Sequence, residues 1–250
     1  MLSPRDKRRQ RQRGQPFPNE WARALQTTRL YRRLPAADRS ELHGHIHVLL
    51  AEKRFEGAAG LVVNDTMRIL VAGQASVLLL HRPSLYFAPL RSVVLYPTEY
   101  SVREEIVDDN GLVDEIDELR AGESWTSGAV VLSWADVAQD LTNPRSNVVL
   151  HEFAHQLDAE DGAMNGAPIL ADPALRRRWA NDMSAAYEDL TVDFERGTRS
   201  FLDAYGSQDP AEFFAVATEV FFLDPLRLQR QRPSLYDTLG AYYRQDPSRW

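Results

Sequence analysis

The sequence predicts an α+β fold, on three observations. Strand signals gather in the first half of the chain. Helical periodicity dominates the end. No segment alternates strand and helix as a parallel α/β protein would. With 250 residues there is room for one large domain, and 44% hydrophobic with 26% charged residues is ordinary for a soluble globular chain. There is no cysteine, so a disulfide framework and a thiolate-held metal are both excluded.

Residues 1–16 read as a basic, disordered tail and 17–250 as one domain. Within residues 1–14, six basic side chains (Arg5, Lys7, Arg8, Arg9, Arg11 and Arg13) face the single acid Asp6. No apolar stretch follows them, so this is not a secretory signal. The longest apolar runs, such as Val77-Leu78-Leu79-Leu80, are far too short for a bilayer. The net charge of −7 therefore sits on a body more acidic than the total suggests. An acidic body disfavours direct nucleic-acid binding, and the tail alone could touch an anionic surface.

Asp38 with Glu41 three residues on is a capping-box pattern, and a helix is expected from there to about Phe55, ending near Gly57 and Gly60. Asn64 or Asp65 caps a second, apolar helix from Met67 to His81. Ser92–Tyr96 is a strand stopped by Pro97. Tyr100–Asp108 and Leu112–Leu119 flank Asp109-Asn110-Gly111, a hairpin signal because Asn and Gly tolerate positive φ. That hairpin is strongly acidic and reads as a solvated projection. Ala129–Trp134 is a further strand, Asp136 opens a short helical stretch, and Asn143-Pro144 marks a turn. Helices follow at Val148–Leu157, Ala174–Leu190, Asp209–Leu223 and Ser234–Arg244.

Within the first of these, His151-Glu152-Phe153-Ala154-His155 carries the chemistry. Residues four apart share a helix face, about 6 Å apart along the axis. Two imidazoles there can grip one tetrahedral Zn2+, and Glu152, on the neighbouring side, can reach a water on the metal. With six His in the chain, this pattern arises by chance about once in a hundred chains of such composition. Val148, Val149 and Leu150 before it and Phe153, Ala154 and Leu157 within it imply a buried helix, where histidines need partners.

A catalytic site needs a third protein ligand. Glu212 and Glu219 are the candidates, because they interrupt an otherwise apolar helix and, seven apart, share a face. One could ligate while the other orients a histidine; spacing does not say which. Asp158 and Asp161 follow the motif closely enough to partner a histidine. His43 and His47 are also four apart, with no glutamate in the motif position, and read as surface or groove residues rather than a second metal site. His81 is expected to end its helix, where imidazole suits the dipole.

Several segments together resemble the Mlc titration factor A peptidases. They are Met67–Ala72, Ala129–Trp134, Val148–Asp158, Asp203-Ala204-Tyr205, Asp209–Val216, Glu219–Phe222 and Tyr242–Pro247. The likeness covers about residues 17–247. The core is also similar to the protease domain of anthrax lethal factor, where a tyrosine precedes the glutamate ligand by seven residues, as Tyr205 precedes Glu212 here. The resemblance implies a zincin-like (gluzincin) single domain, with a small mixed sheet and hairpin packed on the active-site helix. It implies one Zn2+ on His151, His155 and Glu212, Glu152 as general base, and Tyr205 as hydrogen-bond donor to the oxyanion. Extended peptide would pair along the strand Ala129–Trp134. It further implies a cytoplasmic peptidase, aminopeptidase-like, and a possible DNA-binding repressor of the Mlc kind as partner. The competing reading is a zinc-bearing protein that sequesters such a repressor and cleaves little.

Overall fold

The computed structural model of the protein describes residues 3–98, 100–107, 113–120, 122–125 and 128–250, with the strands between 100 and 125 described by their backbone alone. In chain order the elements are α1 (Pro4–Arg13), α2 (Asn19–Leu25), α3 (Arg29–Arg33), α4 (Ala36–Glu52), β1 (Arg54–Gly57), α5 (Asp65–Val77) and β2 (Ser92–Tyr96). Then come β3 (Tyr100–Val107), β4 (Val113–Arg120), β5 (Gly122–Trp125), β6 (Ala129–Ser133), α6 (Trp134–Asp140) and α7 (Val148–Asp158). Four helices close the chain: α8 (Pro173–Glu195), α9 (Pro210–Leu223), α10 (Pro225–Gln231) and α11 (Pro233–Tyr243). This is the expected α+β, zincin-like architecture.

The sheet is small and mixed, in the order β1-β2-β6-β5. β1, β2 and β6 run parallel, and β5 runs antiparallel to β6, with Gly122 opposite Leu132 and Trp125 opposite Ala129. β3 and β4 form the separate antiparallel hairpin. Its Asp109-Asn110-Gly111 turn lies outside the described residues. One expectation is corrected here. β6 is flanked on both sides, so Ala129–Ser133 offers no free edge; among the described residues the outermost strand beside α7 is β5.

The basic segment expected as a disordered tail is helix α1, docked on α4. Ser3 and Asp6 form a capping box. Arg9 is buried, holds both Glu52 carboxylate oxygens at 2.8 Å, and lies 4.4 Å from the centre of the Tyr86 ring. Burial would push the Glu52 carboxyl up, yet the hydrogen bonds from Arg9 and Arg5 carry it down to about 2. The segment lacks an apolar stripe, so composition cannot reveal a helix whose partners sit on another element.

The Asp38 capping box is likewise not realised. Helix α4 begins behind Pro35 without a side-chain cap, and Glu41 instead contacts His45 at 3.2 Å. α5 does start at the Asn64 cap, whose side chain accepts from Met67 N. It stops at Val77, so His81 lies in the following turn, 3.1 Å from Asp38 and 3.3 Å from Glu41. Among the described residues no helix is long and apolar enough to cross a membrane.

The core is built where α7 packs on α9 and on α5, with β5 and β6 against α7. Phe153, Phe213, Phe214, Phe221 and Phe222 fill it, and Phe87 meets Phe153 edge-on at 4.9 Å. Helix α9 is apolar almost all round because it is enclosed almost all round.

Candidate metal centre

Helix α7 is fixed at its start by a set of polar contacts. Asn147 caps it by accepting from Leu150 N at 2.9 Å, and the Asn147 amide donates to the buried Gln74 of α5. Asp140 accepts from Ser146 Oγ at 2.7 Å and from Val148 N at 2.8 Å. These contacts set the rotation of α7. Val149, Leu150, Phe153, Ala154 and Leu157 are buried, and both histidines turn toward α9. Glu152 is also buried, at 5% exposure.

Helix α9 delivers two carboxylates. Asp209 caps its first turn, accepting from Ala211 N at 2.8 Å and Glu212 N at 3.0 Å. Glu212 Oε2 then lies 3.0 Å from His151 Nε2 and 3.4 Å from His155 Nε2, and the two Nε2 atoms are 3.3 Å apart. Donor atoms about 2.0–2.1 Å from a tetrahedral centre are about 3.3 Å from one another. Two imidazole nitrogens and one carboxylate oxygen therefore already stand at the mutual spacing a tetrahedral zinc requires. They are the one group of at least three His, Cys, Asp or Glu residues suited to a metal among the described residues.

Glu219 meets the other nitrogen. His151 Nδ1–H donates to Glu219 Oε1 at 2.9 Å, and Glu219 Oε2 accepts from Asn147 N at 2.6 Å. Neither acid lies on a solvated stripe; side-chain exposures are 18% for Glu212 and 13% for Glu219. Burial alone would push the Glu212 carboxyl up, yet the hydrogen bonds from His151 and His155 bring it down to about 2. Burial would lower His151, yet Glu212 and Glu219 hold it well above the usual imidazole value.

Asp158 and Asp161 separate cleanly. Asp161 is exposed and accepts from Ala163 N at 2.9 Å. Asp158 is fully buried, accepts from Gly166 N at 2.7 Å and acts electrostatically on His155. His155 Nδ1 and Asp158 Oδ1 are both buried without a hydrogen-bond partner among the described residues. Gly166 does more than donate: it has φ +75° and passes so close to Pro210 that a Cβ there would lie 2.2 Å from the Pro210 carbonyl oxygen. It ties the end of α7 to the start of α9, and hence to Glu212. Sequence reading gave no signal for Gly166, Asp140 or Gln74, because each acts through a partner distant in the chain.

Tyr205 sits on a short 3-10 turn, Ala204–Ser207, with Asp203 accepting from its N–H at 2.9 Å. It is 44% exposed, and its ring centre lies 5.9 Å from that of His151. Both rings border a cleft of about 820 Å3 between α8, α9 and the turn before α7.

The α4 histidines pack among aromatic rings, and His47 lines a small groove with Trp21; neither His43 nor His47 belongs to a metal-binding group among the described residues. Phe17 stacks on His43 at 3.6 Å, Tyr31 Oη contacts His43 Nε2 at 2.9 Å, and His45 and His47 are buried.

The fold and this cluster define a class of protein, the zincin-like metallopeptidases, in which side chains on two packed helices are grouped to hold a metal. The chain belongs to the glucose-regulated metallo-peptidase M90 family, whose model matches residues 4–244. It is 38% identical over 237 residues to the uncharacterized protein slr2042 of Synechocystis sp., covering 93% of this chain and 86% of that one. It is 33% identical over 204 residues to Mlc titration factor A of Yersinia pestis and of Yersinia pseudotuberculosis, covering 80% of this chain and 74% of theirs. Membership of a metallopeptidase family implies a metal ion, and His151, His155 and Glu212 form a group able to bind one.

Proposed function

We propose that this protein is a zinc-dependent peptidase in which His151, His155 and Glu212 hold one Zn2+. The observation that carries the reading is the set of three near-equal separations, 3.0, 3.3 and 3.4 Å, among His151 Nε2, His155 Nε2 and Glu212 Oε2. Three such ligands suit zinc and leave a fourth position open. A zinc ion bound there supplies Lewis acidity, making a bound water more acidic and a scissile carbonyl more electrophilic.

The chain's own residues do the rest. Glu152 is the general base; it takes the proton of the attacking water and passes it to the leaving amine. Tyr205 donates a hydrogen bond to the developing oxyanion, a role supported by its exposed ring 5.9 Å from that of His151. Glu219 fixes the His151 tautomer by accepting from Nδ1–H, and the buried Asp158 lies close enough to His155 to interact with it through charge. Extended peptide pairs with β5, the outermost strand beside α7. The activity is aminopeptidase-like and the location cytoplasmic, with no direct nucleic-acid contact.

The name of the Yersinia relatives, Mlc titration factor A, favours a second reading, in which a repressor of the Mlc kind is bound rather than cut. Glu152→Gln separates the two. Turnover of amino-acid anilides and quenched peptides should fall about 10²–10⁴-fold with metal content unchanged. Equal turnover by variant and parent ends the peptidase mechanism. Retention of the repressor without cleavage by the parent leaves the second reading standing.

A further inference from the structure

The cleft beside His151 and Tyr205 has a distinct chemistry. Its floor is apolar, made by Leu190 of α8 and Val216, Val220 and Leu223 of α9. Three guanidiniums line it: Arg145 before α7, Arg199 before the Tyr205 turn, and Arg227 of α10. None of the three forms an ion pair among the described residues; Arg227 instead covers the Phe201 ring at 5.2 Å. The carboxylates of the cleft form no ion pair with these guanidiniums. Glu219 holds His151 and Asn147 N, Asp203 caps the Tyr205 turn, and Asp224 is exposed without an ion pair among the described residues. Three guanidiniums without an ion pair among the described residues are thus open to an anionic group, on a chain whose net charge is −7.

We propose that this cleft selects acidic peptides, seating an apolar side chain on its floor and a carboxylate against Arg145, Arg199 and Arg227. The proposal rests on the peptidase reading for what lies at the metal, but the selection itself is a binding property. Guanidinium–carboxylate pairs are directional and bidentate, so they discriminate by charge and by shape. The carboxylate could be a side chain or the free C-terminus.

The test is fluorescence anisotropy with zinc-loaded protein carrying Glu152→Gln, which keeps the probes uncut. The probes are labelled Leu/Phe-containing peptides of equal length bearing Glu, Gln or Lys beside the apolar residue, each as free acid and as C-terminal amide. The Glu peptides should bind about tenfold tighter than the Gln peptides, with the Lys peptides weakest. A gain that survives amidation assigns the side chain, and one lost on amidation assigns the terminus. The double variant Arg145→Glu, Arg199→Glu should reverse the order, while Arg8→Glu on the exposed face of α1 should not. The preference should shrink in 0.5 M salt, because these charges are exposed. Equal binding of all probes, no binding of any, or an order indifferent to the arginine variants would overturn the proposal. Acidic-peptide binding in a protein whose parent cleaves nothing would end the peptidase reading and leave the cleft assignment intact.

Discussion

Helices α4 and α7 both carry two histidines four residues apart, and the fold treats them in opposite ways. On α7, carboxylates arrive from α9 and contact His151 at both nitrogens, at 3.0 and 2.9 Å. On α4, aromatic rings arrive instead: Phe17 stacks face to face on His43, and Phe17 and Trp21 crowd His47 at 5.5 and 5.4 Å. The imidazoles respond accordingly. His151 is held well above its usual value by Glu212 and Glu219, whereas burial carries His43 down to about 4 and lowers His45 and His47 as well. A histidine pair at helical spacing is therefore only half a metal site. What packs across from it decides whether it holds a cation or behaves as a flat, neutral core ring.

The largest effect should come from removing a member of the α7–α9 cluster. If the proposed zinc site holds, the parent retains one equivalent of zinc after dialysis, measured by atomic emission, and His155→Ala and Glu212→Gln should each abolish it, because two ligands do not hold a catalytic zinc. His43→Ala and His47→Ala should retain the full equivalent and lower the melting temperature instead. Zinc lost from the α4 variants at unchanged stability would erase the distinction between the two helices.

Glu219 sharpens it on a finer scale. Its contact is with His151 Nδ1 rather than Nε2, so on the proposed site Glu219→Gln removes an orienting partner and not a ligand. Zinc affinity, measured by competition with a chromophoric chelator, should fall about 10–100-fold. A greater loss from Glu219→Gln than from Glu212→Gln would exchange their roles.

That distinction also marks where the sequence stops being legible. The α7 motif and the helix carrying Glu212 and Glu219 are readable from spacing and apolar periodicity, because both signals are local. Which glutamate meets which nitrogen is set by the crossing of α7 and α9 and by Gly166 pinning one helix end to the other, and no local pattern records a crossing. Strand β1 was missed for a related reason. Arg54-Phe55-Glu56-Gly57 is short and mostly exposed, and it is a strand because β2 pairs with it. Helix α1 reads as a solvated tail in the sequence because Glu52, its partly buried partner on α4, is invisible to composition. The β-edge expectation failed one strand over, since pairing order is a property of the sheet and not of Ala129–Ser133.

The smallest predicted effect concerns the α4 ring itself. An unfolded imidazole titrates near 6.5, and His43 in the folded chain near 4, so between those values the unfolded state binds more protons. Stability must then be full above about pH 6.5 and fall as the pH drops toward 4, which is the direction expected of a histidine kept neutral. The groups acting on the ring are Arg39 and His47 of α4, whose charges oppose protonation, together with Tyr31 Oη at 2.9 Å. Because His43 is only half-buried, solvent screening reduces the effect to about 1 kcal/mol at pH 5, or roughly 2–4 °C in melting temperature. His43→Phe keeps a flat ring against Phe17 and removes the titration. Its melting temperature should fall less between pH 7 and pH 5 than that of the parent, with zinc content matched in both. Parallel curves for the two proteins would mean that protonation of this ring does not oppose folding, and the contrast between α4 and α7 would then rest on their contacts alone.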